Sequence, residues 1–183
     1  MSEREHRPES HAPLEHELLA LHGADQQAMH ASDEAAVRAN TDHAKQLLGR
    51  YGWIKTTEVS DDAQKGLWLA VLHSDHDVEF QQQGLEKLQR AVEVGEAPKY
   101  QLAYLTDRVL RNTFQPQLFG IYSYVKNEAG EIVPATVEDE EHIEARWQEY
   151  DLAPHLGAQS FADYRRRKQG EYERYMRQLG HQK

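Results

Sequence analysis

The chain has no cysteine, and that absence removes disulfides, thiolate zinc sites and a cysteine nucleophile together. Positive charge is also scarce. Lys and Arg number 21 against 31 Asp and Glu, a formal charge of -10 at pH 7, which repels nucleic-acid phosphates and anionic lipid. No nucleic-acid partner is expected on that ground. The basic run Arg165-Arg166-Arg167-Lys168 sits in a helical pattern with Glu171 and Glu173 nearby; it reads as a solvated helix face, with RNA contact the lesser alternative. Long hydrophobic runs are missing too. The first thirty residues carry Glu3, Glu5, Glu9, Glu15 and Glu17 where a signal peptide would have an apolar core, so neither export nor a membrane partner is expected, and a reducing cytoplasm fits. There is no Gly-rich phosphate loop, nucleotide fingerprint, Gly-x-Ser-x-Gly elbow or His-Glu-x-x-His helix.

What is present is a 183-residue chain, 39% hydrophobic and 28% charged, long enough for one ordinary domain with a real core. Residues 1–13 lack periodicity and are expected to be a disordered lead, with a single helical domain over 14–180. Leu14, Leu18 and Leu21, then Ala35, Ala39, Ala44, Leu47 and Leu48, recur at helical spacing, giving two helices or one broken near Ala31, with Ser32 the expected N-cap. Gly52 closes that segment and Trp53 anchors the loop after it. Asp61 or Asp62 is expected to cap a third helix whose run Leu67 to Leu72 is apolar nearly all round, as a buried helix requires. Further helices are expected over Val78 to Val94, Tyr100 to Asn112, Glu138 to Tyr150 and Ser160 to Leu179. Between them Phe119 to Val125, a turn at Asn127 to Gly130, and Ile132 to Pro134 read as a β-hairpin. The fold class is mainly α: a compact domain of about six or seven helices with one hairpin near residues 119–134.

Three clusters carry candidate chemistry. In His73-Ser74-Asp75-His76-Asp77, His73 and Asp77 share a helix face if the helix continues, where they could hold a divalent metal or, with Asp75, act as a general-base pair. The bland alternative is that Asp75 or Asp77 caps the following helix and His73 donates to a backbone carbonyl. In the second cluster, three-and-four spacing gathers Tyr104, Asp107 and Arg111 beside Arg108. Structural ion pairs are the ordinary outcome, while Arg108 could read a carboxylate or phosphate in bidentate geometry. The third cluster, Gln115-Pro116-Gln117-Leu118-Phe119-Gly120, is a stiff loop that either presents amides to a ligand or turns into a strand.

Taken in order, Asp25-Gln26, Asn40, Gly52-Trp53, His73-x-Asp75, Phe80-Gln81, Asp107-Arg108-Val109, Gln117-x-Phe119-Gly120, Glu138-Asp139 and Arg146 resemble a bacterial family of unknown function, the one numbered 6624, over about residues 25–164. The resemblance brings no activity with it. Ile54 stands where the family pattern has proline, Ile121-Tyr122 where it has Thr-Gln, and Ala145 where it has the first of two arginines. The reading that results is a small enzyme-like domain with a His/Asp/Arg/Gln polar site, acting hydrolytically or by group transfer on a small anionic or amide-bearing substrate. His73, Asp75 and Asp107 would be catalytic, and Arg108, Gln117 and Tyr104 would bind substrate. A non-catalytic module that binds a small molecule or a protein partner is the alternative.

Overall fold

Pro13 lies in the first turn of α1 (Ala12–Ala31), where a residue without an N–H costs nothing, since the first N–H groups of a helix have no partner inside it. The computed structural model describes residues 12–180, so the expectation of a disordered lead lies, for residues 1–11, outside the described residues, and Ala12 and Pro13 are helical. The chain divides into two compact units that meet in sequence between Pro98 and Lys99. Among the described residues no helix is long and apolar enough to cross a membrane.

In the first unit, Ser32 ends α1 in the left-handed conformation, φ 53°, and the Asp33 side chain accepts from the Ala36 N–H to cap α2 (Glu34–Tyr51). The cap is thus one residue later than expected, because Ser32 is used to reverse the chain. α3 (Asp61–Leu72) is capped by Ser60 through the Ala63 N–H, not by Asp61 or Asp62, which occupy the first turn and there favour the positive end of the helix dipole. Asp77 caps α4 (Val78–Glu93) through the Phe80 N–H. Trp53 is buried behind Gly52, whose φ is 71°.

The packing of α1 on α3 depends on Gly66. A Cβ there would lie 2.3 Å from the Leu18 carbonyl oxygen and 3.1 Å from the His22 backbone nitrogen. The Glu15 carboxylate accepts from the Ser60 N–H at 3.0 Å at one end of the pair, and Asp25 meets His73 at the other. Residue numbers rise together along both helices, so α1 and α3 run parallel. Leu18, Leu21, Asp25 and Ala28 form the buried stripe of α1. Gly84 lets α4 approach in the same way, its absent side chain accommodating Val71.

The second unit opens with α5 (Lys99–Asn112). The antiparallel hairpin is shorter than expected: β1 (Tyr124–Lys126) pairs with β2 (Ile132–Pro134), Val125 opposite Val133. Phe119 to Tyr122 are not strand, because their backbone N–H groups are drawn to side chains, as described below. After the hairpin a short 3-10 turn (Glu140–His142) leads into α6 (Ile143–Glu149), α7 (Leu152–Leu156) and α8 (Phe161–Gly180). Phe119, Ile121, Ile143, Trp147, Leu152, Phe161 and Tyr164 form the core. Mainly α architecture with one hairpin is what the helical period indicates.

Gly66→Ala is expected to destabilise the protein by an amount at the upper end of roughly 1–3 kcal/mol, since backbone must move to admit the methyl group. Gly49→Ala, in α2 with nothing within 4 Å of the added Cβ, should instead stabilise by about 0.5–1 kcal/mol through helix propensity. Urea denaturation of the two variants checks both signs.

Candidate functional site

His73 is the C-cap of α3, and its backbone N–H donates to the Leu69 carbonyl. Its Nδ1 lies 3.0 Å from both carboxylate oxygens of Asp25, a residue 1% exposed, while the imidazole itself is 14% exposed. Gln26 Nε2 donates to the same carboxylate at 3.0 Å. A carboxylate only accepts, so the proton of the neutral ring sits on Nδ1 and Nε2 presents its lone pair. Among the described residues Nε2 has no hydrogen-bond partner.

The neighbours of His73 are committed elsewhere. Ser74, fully buried, donates to the Val71 carbonyl at 2.6 Å. Gln81 Nε2 donates to the Leu72 carbonyl and, at 3.2 Å, to Asp75. Asp77 does not join His73 on a shared face. α3 ends at Leu72, and Asp77 belongs to the cap of the next helix, where Lys45 lies 2.7 Å from it. The hydrogen bond from Lys45 and the Phe80 N–H hold the Asp77 carboxyl below its ordinary range. The His73/Asp77 metal pair is therefore replaced by an Asp25/His73 pair, and among the described residues no three His, Asp or Glu side chains gather as a metal site would need. Two buried donors in this unit, Asn40 Nδ2 and Trp53 Nε1, have no hydrogen-bond partner among the described residues.

In the second unit Asp107 is fully buried and its two oxygens accept three backbone N–H groups: Leu118 at 2.9 Å, Phe119 at 3.0 Å and Ile121 at 3.0 Å. Gln117, also buried, closes on Tyr122 like a rung of sheet, Oε1 accepting from its N–H and Nε2 donating to its carbonyl, both at 2.8 Å. Arg146 Nε donates to the Leu118 carbonyl, Trp147 Nε1 to the Phe119 carbonyl and the Tyr164 hydroxyl to the Ile121 carbonyl. Segment 117–122 is thus gripped from five side chains. Gly120 sits in it at φ 65°, with the Phe161 ring where a Cβ would be. The Asp107, Arg146, Trp147 and Tyr164 bonds and both Gln117 bonds go to backbone atoms, so Ile121 and Tyr122 fulfil them whatever their side chains are.

Arg108 and Arg111 both lie over the Tyr122 ring, at 5.3 and 5.2 Å from its centroid. Tyr104 donates to the His155 carbonyl at 3.5 Å, and burial pushes its hydroxyl up to about 12. Asp107 is pushed up to about 6 by burial, against the three N–H donors and the Arg146 charge, which pull it down.

The family model described as "Family of unknown function (DUF6624)" matches residues 26–161. The chain belongs to that family. No curated protein and no solved structure matches it. The DUF6624 match takes in His73 and the whole loop gripped by Asp107, and begins at Gln26, the residue beside Asp25. Asp25 and Arg146 entered the sequence reading only through the family resemblance, without a role. A signal for Asp25 existed: it falls on the helical stripe Leu18, Leu21, Ala28, where a charge must have a partner.

Asp107→Asn turns an amide N–H2 toward at least one of the three backbone N–H groups, and about 1–3 kcal/mol should be lost at pH 7 for the buried donor left without an acceptor. The native carboxyl binds its proton more tightly than the unfolded chain, whose ordinary value is 3.8. Its contribution to stability is complete below about pH 4 and declines as pH rises to about 6, by about 3 kcal/mol in all. The stability difference between wild type and D107N, followed by chemical denaturation from pH 4 to 8, should therefore narrow up to pH 6 and then stay level.

Proposed function

We propose that the first unit is a small enzyme-like domain in which His73 is a general base and Asp25 orients it, performing hydrolysis or group transfer on a small substrate. The observation that carries this is the Asp25 carboxylate on Nδ1. It fixes the tautomer, stabilises the imidazolium that forms when Nε2 takes a proton, and leaves Nε2 to meet the reacting hydroxyl or water. The cysteine-free composition fits a reducing cytoplasm, and the charge of -10 favours a ligand other than nucleic acid.

The alternative is a non-catalytic module that binds a small molecule or a protein. The commitment of Asp107 and Gln117 to the backbone favours it, because residues that looked available for substrate are occupied in holding a loop. The two readings separate in one experiment. Nitrophenyl esters, anilides and phosphoesters are offered to wild type, His73→Ala and Asp25→Asn. The enzyme reading expects turnover of one class that falls by roughly 10²–10⁴ in H73A and also falls in D25N while the fold persists. Turnover that H73A retains would end the assignment of His73, and an inert wild type across all three classes supports the binding module.

A further inference from the structure

We propose that Gln81, on α4, is a positioning residue of the His73 site, holding the end of α3 so that the imidazole meets Asp25. The inference rests on the reading of His73 as the reactive group, and it brings a third helix into a site otherwise built by α1 and α3. The carbonyls in the last turn of a helix have no partner inside it. At the end of α3 the Leu69 carbonyl receives the His73 N–H at 2.8 Å, and the Val71 carbonyl receives the Ser74 hydroxyl at 2.6 Å. The Leu72 carbonyl belongs to the peptide that carries the His73 nitrogen, and its donor comes from another helix: Gln81 Nε2, at 2.9 Å.

The same nitrogen donates to Asp75 Oδ1 at 3.2 Å. A side-chain amide nitrogen carries two hydrogens, so one buried group ties the residue before His73 to the second residue after it. Both ends of the turn that carries the imidazole are thereby held to one point on α4. Within that turn His73 has φ -88° and ψ 2°, the sparsely allowed region in which a helix does not continue. The ring then stands with Nδ1 3.0 Å from each Asp25 oxygen. A backbone shift of about 1 Å at residue 73 is enough to break that contact.

Gly84 is what lets Gln81 reach. A Cβ on Gly84 would lie 2.5 Å from Val71 Cγ1, so α4 stands closer to the end of α3 than a side chain there would allow. Residues three apart share a helix face; Gly84 meets Val71, and Gln81 meets the next residue, Leu72. Gln81 is fully buried. Packing α4 on α3 would be served by leucine or methionine, which bring no polar atoms to satisfy. The amide is required by the carbonyl and the carboxylate on either side of His73.

The test compares full-length wild type with Gln81→Met, which keeps the length of the side chain and loses both donors, and with Leu88→Ala. Leu88 is fully buried two turns further along α4, and its truncation lowers stability without touching the turn. The readout is the proton NMR resonance of the His73 Nδ1–H, assigned by its loss in His73→Ala, and its rate of exchange with water well below Tm. In Gln81→Met the exchange should be at least about tenfold faster, or the resonance lost, while Leu88→Ala keeps it despite an equal or larger fall in Tm. Asp75→Ala, which removes one of the two acceptors, should give a smaller increase, and it decides the matter where Gln81→Met does not fold. No such resonance in wild type, exchange unchanged in Gln81→Met or, where that variant does not fold, in Asp75→Ala, or an equal effect in Leu88→Ala would each overturn the proposal. Turnover is scored separately on the same ester, anilide and phosphoester panel. With a substrate that depends on His73, Gln81→Met should lower kcat by roughly tenfold to 10²-fold with little change in KM, and an unchanged kcat overturns the positioning role. An inert wild type removes the general-base reading alone, and the resonance still decides whether Gln81 sets the imidazole on Asp25.

Discussion

Two carboxylates, Asp25 and Asp107, are withdrawn from water, and a carboxylate so placed must be given donors or give up its charge. The two units answer this differently. Asp107 receives three backbone N–H groups, which cannot titrate and have no chemistry to offer, so the outcome is a fixed loop. Asp25 receives an imidazole and a side-chain amide. An imidazole can take up and pass on a proton where a backbone N–H cannot, and a carboxylate on one ring nitrogen orients the other. The same residue type therefore builds a structural element in one unit and a candidate reactive group in the other, and the donor decides which.

The meeting of Asp25 with His73 rests in turn on Gly66. Two parallel helices in contact at ordinary distance would hold their side chains apart by the thickness of a Cβ layer. With Leu18 and His22 backbone directly against Gly66, the short Asp25 side chain two turns later reaches a ring at the end of the neighbouring helix. The glycine is remote from the chemistry in sequence and controls its geometry through helix separation.

Helices were legible in the sequence because their signal is periodic and local. α4 and α5 appear where the period of apolar residues places them, and Gly52, Gly95 and Pro98 mark real ends. Caps were less legible, since Ser32 against Asp33, and Ser60 against Asp61 or Asp62, are chosen by where the chain must reverse and not by side-chain chemistry alone. The first half of the expected strand failed for a nonlocal reason. Phe119 and Ile121 have strand-forming side chains, but Asp107, 12 and 14 residues earlier in sequence, takes their N–H groups and leaves none for a ladder. The partner of His73 lies 48 residues away, beyond any spacing rule, and only a charge on the apolar stripe of α1 could have pointed to it.

Gly120 and Phe114 show how much weight a positive φ can bear. Both are left-handed, at 65° and 59°. At Gly120 the reason lies inside the fold: the Phe161 ring occupies the place of a side chain, and only glycine satisfies both the backbone and the packing. At Phe114 no such internal reason operates, since glycine would relax the backbone and the ring is half exposed. Strain that the native packing requires explains itself. Strain that the packing does not require, as at the half-exposed Phe114, has no structural explanation among the described residues.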